Sequence, residues 1–180
     1  MHRRSALLLL LLSAACAPQG PAPTLPAGVA PGGLAGSDPV MRVGQDMANF
    51  FAAPQANRPA EAARAIAELE WLADSLPRSP RWQNASSVGL NGLQQSRWEA
   101  RRALGIPERA PTQAVINGLG AAARAIEAND QAALARALPR AAFPLGPQET
   151  VRRLSAPPQL PQVVSYYRSV ATDPVQGAVH

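Results

Sequence analysis

Residues 59–77 read PAEAARAIAELEWLADSLP, and their spacing decides the fold. Ala62, Ile66, Leu69, Ala73 and Leu76 recur at i, i+4 and i+7 with Leu72 beside them, which is one stripe of a 3.6-residue helix. Asn57-Arg58-Pro59 opens the segment, because Pro suits a first turn whose N–H has no intrahelical partner. Pro77 closes it by removing a donor. Glu61, Glu68, Glu70 and Asp74 fall off the stripe and read as the solvated side of an amphipathic helix.

The same punctuation extends in both directions. Upstream, Ser37-Asp38-Pro39 sets a capping side chain before a first-turn Pro, and Val40, Val43, Met47, Phe50 and Phe51 follow on one face up to Pro54. Downstream, a third helix is expected from Ser86 to Leu104, stopping at Gly105, and a fourth from Thr112 to Ala128 with Val115, Leu119, Ala122 and Ile126 inward. Asn129 or Asp130 caps a short fifth that ends before Pro139, and Gln148 to Ser155 forms another short piece. Val163, Val164, Tyr167, Val170 and Ala171 fit a helix face; VVSYY has strand propensity, but no partner strand is evident. The expectation is an all-α protein: a small antiparallel bundle of about five to six helices over residues 38–172, after a Pro/Gly-rich tether and before a flexible tail at 173–180.

Composition supports that class. The 180 residues are 47% hydrophobic and 16% charged, which excludes a wholly disordered chain, and aromatics are only 4%, so the core must come from Ala, Leu, Val and Ile on helices. All 17 cations are Arg, against 12 acids, for a formal +5.

Met1 to Cys16 reads MHRRSALLLLLLSAAC: Arg3 and Arg4, an apolar run from Ala6 to Leu12, then small residues before the lone Cys. That run is too short for a stable bilayer span, which needs about 20 apolar residues. The pattern resembles a bacterial lipoprotein signal, with Ala14 and Ala15 before the Cys and Ser13 where that family most often has Leu. The resemblance implies that residues 1–15 are removed and that Cys16 is lipidated, so that a lipid bilayer is a partner. It also implies a periplasm-facing, lipid-anchored place in the cell envelope, and Ala17 after the Cys favours the outer membrane. The alternative is an ordinary secreted signal cleaved near Ala15 or Ala17, with Cys16 incidental. The lipid reading also disposes of a free thiol in an oxidising compartment.

Ala17 to Ser37 holds five Pro, five Gly and no charge, so residues 16–37 read as lipidated Cys plus disordered tether. Its 21 residues would reach roughly 65 Å at about 3.1 Å each. From Cys16 onward 15 Arg face 12 acids, a mild +3. Without clustering or stacking aromatics this carries no nucleic-acid signal.

Two features of the third helix bear on function. Gly89, Gly92, Ser96, Ala100 and Ala103 form a small-residue strip that would let another helix approach closely. Opposite lie Asn91, Gln94, Trp98, Arg101 and Arg102, while Trp71 falls 180° from Ala62 beside Arg64, and Trp82 sits between the two helices. Trp71, Trp82, Asn84, Gln94, Trp98 and Arg101 are therefore a candidate ligand-contact cluster for a sugar, peptide or anion. The competing reading is that later helices or the C-terminal segment cover these rings, and it is favoured because only eight aromatics exist to fill a core. Arg97 is expected to bury its stem and keep its head at the surface.

Catalysis is narrowed by residue type. The only His residues are His2 and His180, Lys is absent and the single Cys is Cys16, which excludes a Ser-His-Asp relay, a thiol nucleophile, His or Cys zinc ligation and a Schiff base. Carboxylate chemistry remains, but Glu61, Glu68, Glu70 and Asp74 read as a solvated helix side, so no catalytic residue, metal site or cofactor is expected. Ser87-Val-Gly-Leu-Asn-Gly-Leu-Gln-Gln95 resembles the Ser, Gly, Gly-Leu, Gln segment of lysozyme-like lytic transglycosylases. That resemblance implies a wall-glycan-cleaving enzyme whose Glu acts as acid and then base. Where that family has its Glu this chain has Pro77, and Asp74-Ser75 is the nearest substitute. The expected role is thus non-catalytic binding or scaffolding in the cell envelope, with an envelope protein or peptidoglycan as partner and no nucleic acid; the alternative is peptidoglycan cleavage.

Overall fold

A computed structural model describes residues 20–29 and 38–176, with side chains through Thr172. Cys16, the signal segment, residues 30–37 and the last four residues lie outside the described residues. Among the described residues seven α-helices follow one another: α1 Pro39–Ala52, α2 Pro59–Ser75, α3 Ser87–Leu104, α4 Thr112–Glu127, α5 Gln131–Ala137, α6 Pro147–Leu154 and α7 Gln162–Gln176. Two 3-10 turns, Leu76–Arg78 and Pro80–Trp82, join α2 to α3. The all-helical expectation holds, with one or two more helices than the five to six expected. The last segment is helix and runs past 172 to Gln176, so 173–176 continue the fold.

Local chemistry sets the ends. The Asp38 side chain accepts from the Val40 N–H (2.9 Å), Ser86 from Gly89 (3.2 Å) and Asp130 from Ala133 (2.8 Å), each satisfying a first-turn donor that has no partner in its helix. Gly105 ends α3 in the left-handed conformation at φ 69°, where a Cβ is disfavoured.

Helix α2 sits at the centre, touching α1, α3, α4 and α6. Its Ala62, Ile66, Leu69 and Leu72 are wholly buried, but so are Ala63 and Ala67 on the other side. A helix enclosed on most sides has no solvated face. The expectation for Glu68 and Glu70 is accordingly corrected: both are buried. Helices α2 and α3 run antiparallel, since Gln94 meets Ala73 while Arg101, two turns on, meets Glu70.

The small-residue strip of α3 receives α7. A Cβ at Gly92 would clash with the Tyr166 ring, and one at Gly89 would meet Val170 at 2.6 Å, so close approach needs Gly at both positions. Helix α7 also crosses α1, where the Tyr167 ring lies on Gly44 and its hydroxyl donates to the Met41 carbonyl (2.9 Å).

Residues 20–29, expected as free tether, instead form a strap laid over the helices. Pro23 and Val29 are buried, and Val29 sits over Gly120 of α4, where an added Cβ would meet it at 2.5 Å. Side chains hold the strap by its backbone. Arg78 donates to the Gly20 carbonyl (2.9 Å), Trp71 to Pro23 (3.0 Å), Gln113 to Thr24 (2.9 Å) and Arg124 to Ala27 (2.7 Å). The physical reason is that a Pro-rich segment leaves its carbonyls free, and α2, α4 and the turn after α2 present donors at matching intervals.

Candidate functional site

The six residues singled out on the sequence do not share one open surface. Trp71 is half-buried beneath the strap, so the N-terminal segment, rather than later helices, covers its indole N–H. Trp82 is buried where the second 3-10 turn meets α7. Gln94 donates to the Ala73 carbonyl (2.7 Å), bracing α3 on α2, and Asn84 is exposed in the intervening loop. Arg101 is 1% exposed and turned inward. Trp82 and Arg101 thus offer no face to a ligand.

What the structure builds around Arg101 is a buried ion network. Its Nε and Nη2 donate to the two Glu70 oxygens at 2.6 and 2.7 Å, a bidentate fork. Its Nη1 donates to the carbonyls of Glu108 (2.8 Å) and Ala110 (2.9 Å), so one side chain ties α2 to the loop entering α4. Burial pushes the Glu70 carboxyl above its usual range, and the Arg101 fork opposes that rise.

Arg97 lies beside this network, and its guanidinium is buried, contrary to the expected surface head. Its Nε and Nη1 have no hydrogen-bond acceptor, and the nearest carboxylate oxygen, on Asp74, is 3.6 Å from Nη1. The Trp98 ring compensates, with the Arg97 guanidinium 4.4 Å and that of Arg101 5.1 Å from its centroid. Burial lowers the Arg97 pKa from its ordinary value. Asp74, the nearest stand-in for a glycan-cleaving acid, is paired with Arg78 (2.8 Å) and Arg97.

The open concavity richest in chemistry lies elsewhere, between α1 and α2. A cleft of about 460 Å³ is lined by Asp46, Asn49 and Phe50 from α1 and by Glu61, Ala65 and Glu68 from α2, with Arg64 and the connecting residues Ala53 and Gln55 at its edge. Glu68 is 4% exposed. Its carboxyl is raised to about 8, first by desolvation and then by the Asp46 charge, with Arg64 opposing. Arg64 is drawn the other way, donating to Glu127 of α4 and to the Gly28 carbonyl of the strap.

Sequence reasoning missed this cleft. The available signal was alanine on every side of α2: Ala60, Ala63 and Ala67 lie roughly opposite the apolar stripe, which marks a second buried face and makes acids on the flanks buried groups. No family model, no curated protein and no solved structure matches the chain.

Proposed function

We propose that the chain is a lipid-anchored protein of the cell envelope, facing the periplasm, with a non-catalytic binding or scaffolding role. The observation that carries the reading is the run Arg3-Arg4, seven apolar residues from Ala6 to Leu12, and small residues leading to the lone Cys16. Among the described residues no helix is long and apolar enough to cross a membrane, and attachment in this reading is through acyl chains on Cys16. The binding role is supported by a cleft of small-molecule size between two helices.

Intact-mass spectrometry of the protein from native membranes tests the anchor. The expected product begins at Cys16 and carries thioether lipid, and Cys16→Ala abolishes that product and the membrane association. Recovery of unmodified mature chain from a soluble periplasmic fraction would overturn the assignment. A turnover assay on purified peptidoglycan tests the role: no glycan cleavage is expected, and turnover lost in Asp74→Asn would replace this reading with the enzymatic one.

A further inference from the structure

Glu68 is a largely buried residue whose carboxyl opens onto the α1/α2 cleft. It is 96% buried by its 4% exposure, yet no described residue hydrogen-bonds or ion-pairs with it, and its side chain lines the α1/α2 cleft. Its oxygens are not among the fully enclosed polar atoms that lack a partner, so the carboxyl opens onto the cleft, where solvent or a ligand must satisfy it. The charges around it are Asp46 on α1, Glu61 and Arg64 on α2, and Glu127 on α4. Three of these are already paired: Glu61 with Arg58 (2.8 Å), and Arg64 with Glu127. The carboxyl groups left to the cleft are therefore the buried Glu68 and, exposed at its mouth, Asp46, beside Phe50, Ala53 and Ala65.

We infer that the α1/α2 cleft binds a small organic cation of the alkylammonium class, its nitrogen between Glu68 and Asp46 and its alkyl body along Phe50 and Ala65. The sign of the two carboxyls rejects an anion. Among the described residues no group of three or more acidic, His or Cys side chains is arranged to hold a metal ion, and the apolar wall favours a carbon-bearing cation over a hydrated one. The Phe50 ring adds a face on which a cation gains further attraction. The volume of about 460 Å³ lies in the range of small-ligand sites. This specifies the binding half of the reading above and does not depend on Cys16 carrying lipid.

The chemistry has a proton signature. In the empty cleft Glu68 is mostly protonated at pH 7, because burial and Asp46 raise it to about 8. An ammonium group beside it favours the carboxylate, so the Glu68 proton leaves to solvent as the ligand enters. At pH 7 roughly nine in ten molecules should release one proton on binding; at pH 9 almost none should, and the apparent Kd should be about tenfold tighter.

Calorimetric titration of the detergent-solubilised full chain with butylammonium, in buffers of different ionisation enthalpy, reads both quantities. Expected are saturable binding, about one proton released at pH 7, and its disappearance at pH 9. Glu68→Gln preserves shape and removes a group that is neutral at pH 7, so the fold should persist by circular dichroism. Proton release should vanish in it, and affinity at pH 9 should fall at least tenfold. Carboxyl NMR of the unaltered protein supplies a readout without a variant: the Glu68 titration should move down in pH when butylammonium is added. No binding at millimolar butylammonium, binding without proton release, equal binding by Glu68→Gln, or equal binding of neutral butanol would each overturn the inference. Mass spectrometry of the same preparation reports the state of Cys16, so a failed titration and a failed anchor are distinguishable.

Discussion

Two buried glutamates on one helix, two positions apart, have opposite fates. Glu70 meets a guanidinium fork that opposes the effect of its burial; Glu68 meets none and is held protonated near neutrality. The consequence for stability has a definite sign. Unfolded, Glu68 titrates near 4.5, and folded near 8, so between these values the native state binds the extra proton. Its contribution is complete below about pH 4.5 and is lost as pH rises through 8, at a slope of about 1.4 kcal/mol per pH unit. Glu68→Gln should flatten that slope in chemical denaturation run at pH 5, 7 and 9, and should be more stable than the parent at pH 9. At Glu70 the expectation differs, since removing one partner strands a buried charge. Arg101→Met should cost roughly 3 to 5 kcal/mol, whereas Arg101→Met with Glu70→Leu should recover most of it. Equal loss in the single and double variants would mean that Arg101 acts through the loop carbonyls of Glu108 and Ala110 rather than through Glu70.

At the scale of elements, the α3/α7 seam and the strap both rest on glycine, and both are open to test. Ala100 is wholly buried in the small-residue strip and Gln95 is exposed, bonding only Glu99 one turn on (3.0 Å). Ala100→Leu should destabilise by roughly 1 to 3 kcal/mol and Gln95→Leu should be near neutral. Gly120→Val on α4 should displace Val29 and open residues 20–29 to limited proteolysis while the helices stay intact, because Gly120 is a helical residue that tolerates a side chain in its own backbone. The helices were legible because this chain marks most of their starts and stops with Pro, Asp, Ser or Gly, local signals that need no tertiary knowledge. The strap was not legible. Its ten residues lack periodicity, and what secures them are carbonyls accepting from Arg78, Gln113 and Arg124, residues 58 to 97 positions away. The buried acids were not legible for a related reason: alanine is at home on both exposed and buried helix faces, so Ala63 and Ala67 do not by themselves disclose that α4 packs on α2.

For the whole molecule, residues 20–29 belong to the folded body, and the domain should weaken without them. Deleting 20–29 removes the burial of Val29 and uncovers Trp71, a loss of at least about 2 kcal/mol by denaturation. A truncation that melts like the full chain would show that the strap adds no stability. The strap also changes what a lipid on Cys16 would do. With Gly20 held by Arg78, only four peptide units separate the proposed anchor from the folded body, a reach of about 14 Å. A free 21-residue tether would have allowed roughly 65 Å. Search volume scales with the cube of reach, so the domain would sample on the order of one hundredth of the space, and a partner at the bilayer surface would meet it at a correspondingly higher effective concentration. Such a protein would act as a fixture of the lipid surface, selecting its partners by their height above the membrane.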